Sequence, residues 1–89
     1  MAVALTPDVL QDELAVSLAR VVAAANARAR EAGVDLRQSL ITITQQILES
    51  GLIWRVNYGA KDYVGRRGGD FIVEVDPASA QVRRVLRGQ

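Results

Sequence analysis

Near residue 40 the spacing of the apolar side chains changes, and that change constrains the fold more than any other feature of the chain. Before it, Leu10, Leu14, Leu18, Val21, Ala25, Ala29 and Ala32 recur every three or four residues, which lays one apolar stripe along a helix. After it, Ile41, Ile43 and Ile47 alternate with other residues, with Gln45 as the exception, and Leu52, Trp54, Val56 and Tyr58 alternate in the next run. Phe71, Val73 and Val75 form a third alternating run. A helical stripe that gives way to half-buried strands predicts an α+β protein: one long N-terminal helix packed on a four-stranded antiparallel meander, in two layers. The 89 residues make one domain, 1–89, with a single modest core.

Local signals place the boundaries. Thr6 as N-cap, Pro7 at the first helical position and Asp8 near the positive end of the dipole start a helix over 7–32, after an N-terminal arm at 1–6. Gly33 stops it. The last turns of the stripe are alanine, so that end of the helix should lie closest to the sheet, with the leucine end farther off. Ser50-Gly51 reads as a two-residue hairpin turn that puts Ile47 opposite Trp54 and Ile43 opposite Tyr58. Tyr58 and Phe71 bracket the next connection, so that Val56 faces Val73, Trp54 faces Val75 and Arg55 faces Glu74. The segment GAKDYVGRRGGD then becomes a long hairpin loop. The tail DPASAQVRRVLRGQ supports two readings. Asp76 and Pro77 start a second helix, or residues 76–80 turn into an edge strand carrying Val82, Val85 and Leu86. With the strand, the sheet spans 40–87 in the order 1-2-3-4. The expected core is Leu14, Leu18, Val21, Ala25, Ile41, Ile43, Ile47, Trp54, Val56, Phe71, Val73 and Val75.

A helix ending in glycine, a strand pair carrying WRVNY, then GGDFIVEVDP and a final VRRVLRG follow one another along the chain. This order resembles the small helix-plus-meander domains of the PepSY-like and broader cystatin-like group, over residues 8–87. The resemblance implies a binding or inhibitory module, supplies no catalytic residue, and favours the strand reading of the tail. Those domains are typically exported, whereas this chain shows no signal peptide. They commonly place glycine in the last turn, where this chain has Ala80.

Function is expected in recognition rather than in chemistry. The sequence has no histidine and no cysteine, so a triad, a zinc site of the usual ligands and thiol chemistry are all excluded. No enzyme activity and no cofactor are expected. A net charge of +1 gives no electrostatic case for nucleic acid or a membrane surface. MAVALTPD lacks a basic n-region, and no segment approaches the roughly 20 apolar residues of a membrane span, so a cytoplasmic setting is expected. Asp70, Glu74 and Asp76 share one face of the third strand and offer a carboxylate-based metal or small-ligand site, although Arg55 across the strand pair would neutralise Glu74. GAKDYVGRRGGD does not match a phosphate loop: its glycine spacing is wrong, and a strand rather than a helix follows.

The favoured reading is a protein-binding or self-associating accessory module. An immunity or inhibitor protein that neutralises a toxin or peptidase is the alternative suggested by the resemblance. Candidate partner contacts are Leu48, Ile53, Arg55 and Ile72 on the sheet face away from the helix, with Arg66 and Arg67 as a weak anion contact on the loop. A helix of about 26 residues is a rod of roughly 39 Å, whereas strands of about eight residues span roughly 26 Å. The helix should therefore overhang the sheet and expose Leu5, Val9, Leu10 and Leu14 as the contact of a symmetric homodimer. The alternative is that the N-terminal residues fold back as a covering arm.

Overall fold

The computed structural model describes residues 11–60 and 70–87. Among the described residues there are one α-helix, α1 (Glu13–Glu31), a single 3-10 turn (Leu36–Gln38), and four strands: β1 (Ser39–Leu48), β2 (Gly51–Ala60), β3 (Phe71–Val75) and β4 (Val82–Arg87). The strands form one antiparallel sheet in the order β1-β2-β3-β4, with α1 on one face, as the change of period predicts.

Residue chemistry sets both ends of α1. Asp12 caps the start by accepting a hydrogen bond from the Ala15 amide at 3.0 Å, and Glu13 adds a negative charge to the first turn. At the other end the amide of Gly33 donates to Arg30 and that of Val34 to Ala29, while Gly33 adopts φ 86°. These two bonds make a Schellman cap, which requires a left-handed residue at the glycine position. The helix is shorter than its stripe suggests. Gln11 lies in a turn and Asp12 is the cap, so α1 begins at Glu13 and does not run unbroken from Pro7; Thr6, Pro7 and Asp8 lie outside the described residues. Its 19 residues span about 28 Å, less than the roughly 33 Å of a ten-residue strand. On length alone nothing overhangs.

The alanine end of α1 lies against the sheet. Val21, Ala25 and Ala29 are fully buried and pack with Val56, Tyr58, Phe71, Val73 and Val75 to form the core. Side chains this small bring the helix axis close to the sheet, and Leu14 at the far end is 64% exposed. Ser17 fastens the N-terminal part of the helix by donating its hydroxyl to the carbonyl of Pro77 at 3.3 Å.

In the β2–β3 pair, Val56 faces Val73, Trp54 faces Val75 and Arg55 faces Glu74, as the alternation predicts. The β1–β2 register differs from expectation by two residues. Ile47 faces Leu52 and Ile43 faces Val56, because the reversal occurs at Glu49 and Ser50 and not at Ser50-Gly51. Glu49 and Ser50 keep negative φ, and Gly51, at φ 121°, takes up the unusual backbone angle as the first residue of β2. A shift of two preserves the faces, so the apolar rows still share one side.

The tail is a strand. Asp76 organises the turn before it: its carboxylate accepts from the amides of Ala78 and Ser79, and its carbonyl accepts from the amide of Ala80. Ala80 adopts φ 57°, the left-handed region that costs a residue with a Cβ about 1–2 kcal/mol. Replacing it with glycine removes that strain but adds freedom to the unfolded chain. We expect Ala80→Gly to stabilise the domain by about 0.5–1 kcal/mol and to raise the thermal midpoint by several degrees, as measured by thermal unfolding. A lowered midpoint would contradict the strain.

Candidate binding surface

The two faces of the sheet are finished differently. On the face away from α1, Glu74 is the one buried charged residue among those described, with its side chain 4% exposed. Arg55 donates from Nε and Nη2 to Glu74 Oε2 at 3.3 and 3.1 Å, and Arg84 donates from Nε to Oε1 at 2.9 Å. Burial pushes the Glu74 carboxyl up, but the hydrogen bonds and charges of Arg84 and Arg55 outweigh it and hold the carboxyl below its usual range. The neighbouring acids are also engaged. Asp70 accepts from Asn57 Nδ2 at 2.9 Å, and Asp76 accepts from Arg83 Nη1 at 2.9 Å as well as from its own turn. These carboxylates are tied to arginines, an amide and the backbone, which leaves little ligating capacity for a cation. Among the described residues, no group of three or more Asp, Glu, His or Cys side chains is placed to hold a metal.

The partner residues proposed for that face fare unequally. Ile53 is 7% exposed, at the floor of a depression also lined by Leu48, Ser50, Arg83 and Arg84, so it is not open to a partner. Arg55 is committed to Glu74, and Ile72 is half-buried beside it in the sheet. Leu48 alone of the four is exposed, at the edge. Arg66 and Arg67, and Leu5, Val9 and Leu10 of the proposed dimer contact, lie outside the described residues. Leu14 is on the surface, in the first turn of α1.

The helix-facing side carries the surface that the sequence pattern missed. Its β3 and β2 half is dry: Tyr58, buried there, donates its hydroxyl to Asn26 Oδ1 at 2.7 Å, and burial pushes that hydroxyl up to about 12 against a small lowering by Arg30. Its β1 half is open. Ile47 is 85% exposed, Ile41 41% and Ile43 38%, and Leu52 opposite Ile47 is exposed too. Trp54, expected in the core, sits half-buried at the boundary, paired with Gln45 on one side and Val75 on the other.

Geometry explains the exposure. A helix is about 10–12 Å across with its side chains, and strands are about 4.8 Å apart, so one helix covers little more than two strands. Here α1 lies on β3 and β2, and β1 is beyond its reach. The two outermost positions of β1 on the other face, Leu40 and Leu48, are exposed as well. The strand therefore presents aliphatic side chains on both faces. Among the described residues no strand pairs with its far edge.

No helix among the described residues is long and apolar enough to cross a membrane. Comparison with protein-family models, with curated proteins and with solved structures gives no match.

Proposed function

We propose that the chain is a non-enzymatic, protein-binding or self-associating module whose working surface is β1 and the uncovered half of the sheet around it. The observation that carries this reading is the exposure of Ile41, Ile43 and Ile47, an aliphatic row interrupted only by Gln45, on the face where a two-layer domain normally has its core. The aliphatic side chains of β1 leave roughly 400–500 Å² in water over the two faces of the strand, an amount comparable to the largest apolar patch on a typical monomer, which is often a functional surface. Removing such a patch from water favours association. Recognition by protein is the part of the PepSY-like and cystatin-like resemblance that this surface supports. A cytoplasmic setting, in which a chain without cysteine gives up no disulfide, belongs to the same reading.

The test compares wild-type protein with an Ile41→Lys, Ile47→Lys double variant. Both side chains are substantially exposed, so the fold should survive the change. Two measurements are made on each: the mass in solution, and the proteins retained from the native cell. The reading expects an assembly, homomeric or with a stoichiometric partner, that the double variant loses while its circular dichroism stays that of the wild type. A wild-type protein that remains at 9.6 kDa and retains the same proteins as the variant would overturn it.

A further inference from the structure

The geometry points to a second copy of this chain as the occupant of β1, paired antiparallel to its own β1 across a two-fold axis at Thr44, so that two four-stranded sheets join into one of eight. This deepens the proposed function and rests on it. Three observations on the strand carry it.

The first is the edge itself. Ser39–Leu48 is ten residues long, contains no charge, no proline and no glycine, and pairs with β2 in unbroken register. Protected edges are short, bulged, or interrupted by lysine or proline, because an open row of amides and carbonyls recruits another strand. The far edge of this sheet shows such protection: β4 has six residues, three of them arginine, and a register shift at Glu74/Val75. The two edges of one sheet are thus treated in opposite ways.

Self-complementarity is the second observation. A two-fold interface pairs residue i with residue j and j with i, so a strand that pairs with itself must read alike in both directions. About Thr44 the strand does so: Leu40 meets Leu48, Ile41 meets Ile47, Thr42 meets Gln46 and Thr44 meets its own copy. The single mismatch sets Ile43 against Gln45. Pairing about Ile43 instead would set Leu40 against Gln46 and Ile41 against Gln45, losing both aliphatic pairs. A register offset by one residue would put helix-side residues of one copy on the other face of its partner.

Charge and area are the third. No like charges are opposed along the strand, because it has none. Each β1 exposes roughly 400–500 Å² of aliphatic surface, and the part of it that cross-strand pairing covers adds to the backbone and the Thr and Gln side chains toward the roughly 800 Å² that each partner contributes to a stable interface.

Because the sequence contains no cysteine, introduced thiols report the register without interference. Residues directly opposite in an antiparallel pair have Cα atoms about 4.5–5.5 Å apart, within disulfide reach, whereas residues offset by four positions are about 13 Å apart. The proposal therefore expects mild oxidation to convert Thr44→Cys to a covalent dimer, to leave Thr42→Cys alone essentially unlinked, and to link the Thr42→Cys, Gln46→Cys pair. Equal cross-linking of Thr44→Cys and Thr42→Cys would indicate collision and overturn the register. A dimer in sedimentation with none of these links would leave self-association standing and remove β1 pairing. A monomer that captures a different protein through Ile41 and Ile47 would leave the binding surface standing and remove the second copy.

Discussion

Phe71→Ala is expected to destabilise the domain by about 3–5 kcal/mol, a third or more of the total stability of a typical domain of this size. Phe71 opens β3 with its ring buried, packed at 6.3 Å and a tilt of 51° from Tyr58, and the Arg87 guanidinium lies 5.1 Å above it. Truncation would leave a cavity between strand and helix, and Ala25 and Ala29 are too short to fill it. It would also remove the face on which Arg87 rests. Chemical denaturation measures the cost. A loss below about 1 kcal/mol would mean that the core does not centre on β3.

The second large effect is expected on the opposite face. Glu74→Ala would strip Arg55 and Arg84 of their shared acceptor, and we expect a cost of about 2–3 kcal/mol. That is below the range for a fully buried pair, because both arginines remain partly in water and can rehydrate. The pH dependence identifies the cause. The folded carboxyl titrates below its ordinary value of 4.5, so ionised Glu74 contributes stability that is complete above that value and lost as pH falls through the folded one. Asp76 is lowered too, by its turn amides first and by Arg83, and contributes in the same acid window. The difference between wild type and Glu74→Gln isolates Glu74: it should be large at neutral pH and shrink on acidification. A difference independent of pH would assign the effect to packing.

How far the fold could be read from the chain depended on what each pattern encodes. The β2–β3 register was legible because two independent constraints agree, Arg55 facing Glu74 on one side and the Val56–Val73 pair on the other. The β1–β2 register lacked such a second constraint. Any even shift keeps Ile43 and Ile47 on the helix side, and only the turn chemistry at Glu49, Ser50 and Gly51 chooses among them. The helix start was misplaced because Thr6-Pro7-Asp8 and Asp12-Glu13 are both sound capping signals, and the second is the one α1 uses. The positive φ of Ala80 is set by the turn that Asp76 organises, and no apolar pattern encodes it.

The binding surface was hidden for a different reason. Alternation reports which face of a strand is apolar, not whether anything covers it, so Ile41, Ile43 and Ile47 read as core. The width of one helix against four strands would have flagged them. Ile53 was misread in the opposite sense: it lies on the face away from the helix, yet the depression it shares with Leu48, Arg83 and Arg84 leaves it almost no contact with water.

Amide hydrogen exchange along Ser39–Leu48, followed over a hundredfold range of protein concentration, tests the central claim most directly. In an antiparallel ladder alternate amides of β1 face β2 and the rest face outward. The account predicts that the outward set is protected at high concentration and exchanges rapidly on dilution, while the inward set stays protected throughout. Outward amides that exchange rapidly at every concentration, or that are protected equally at every concentration because the chain covers its own edge, would contradict it.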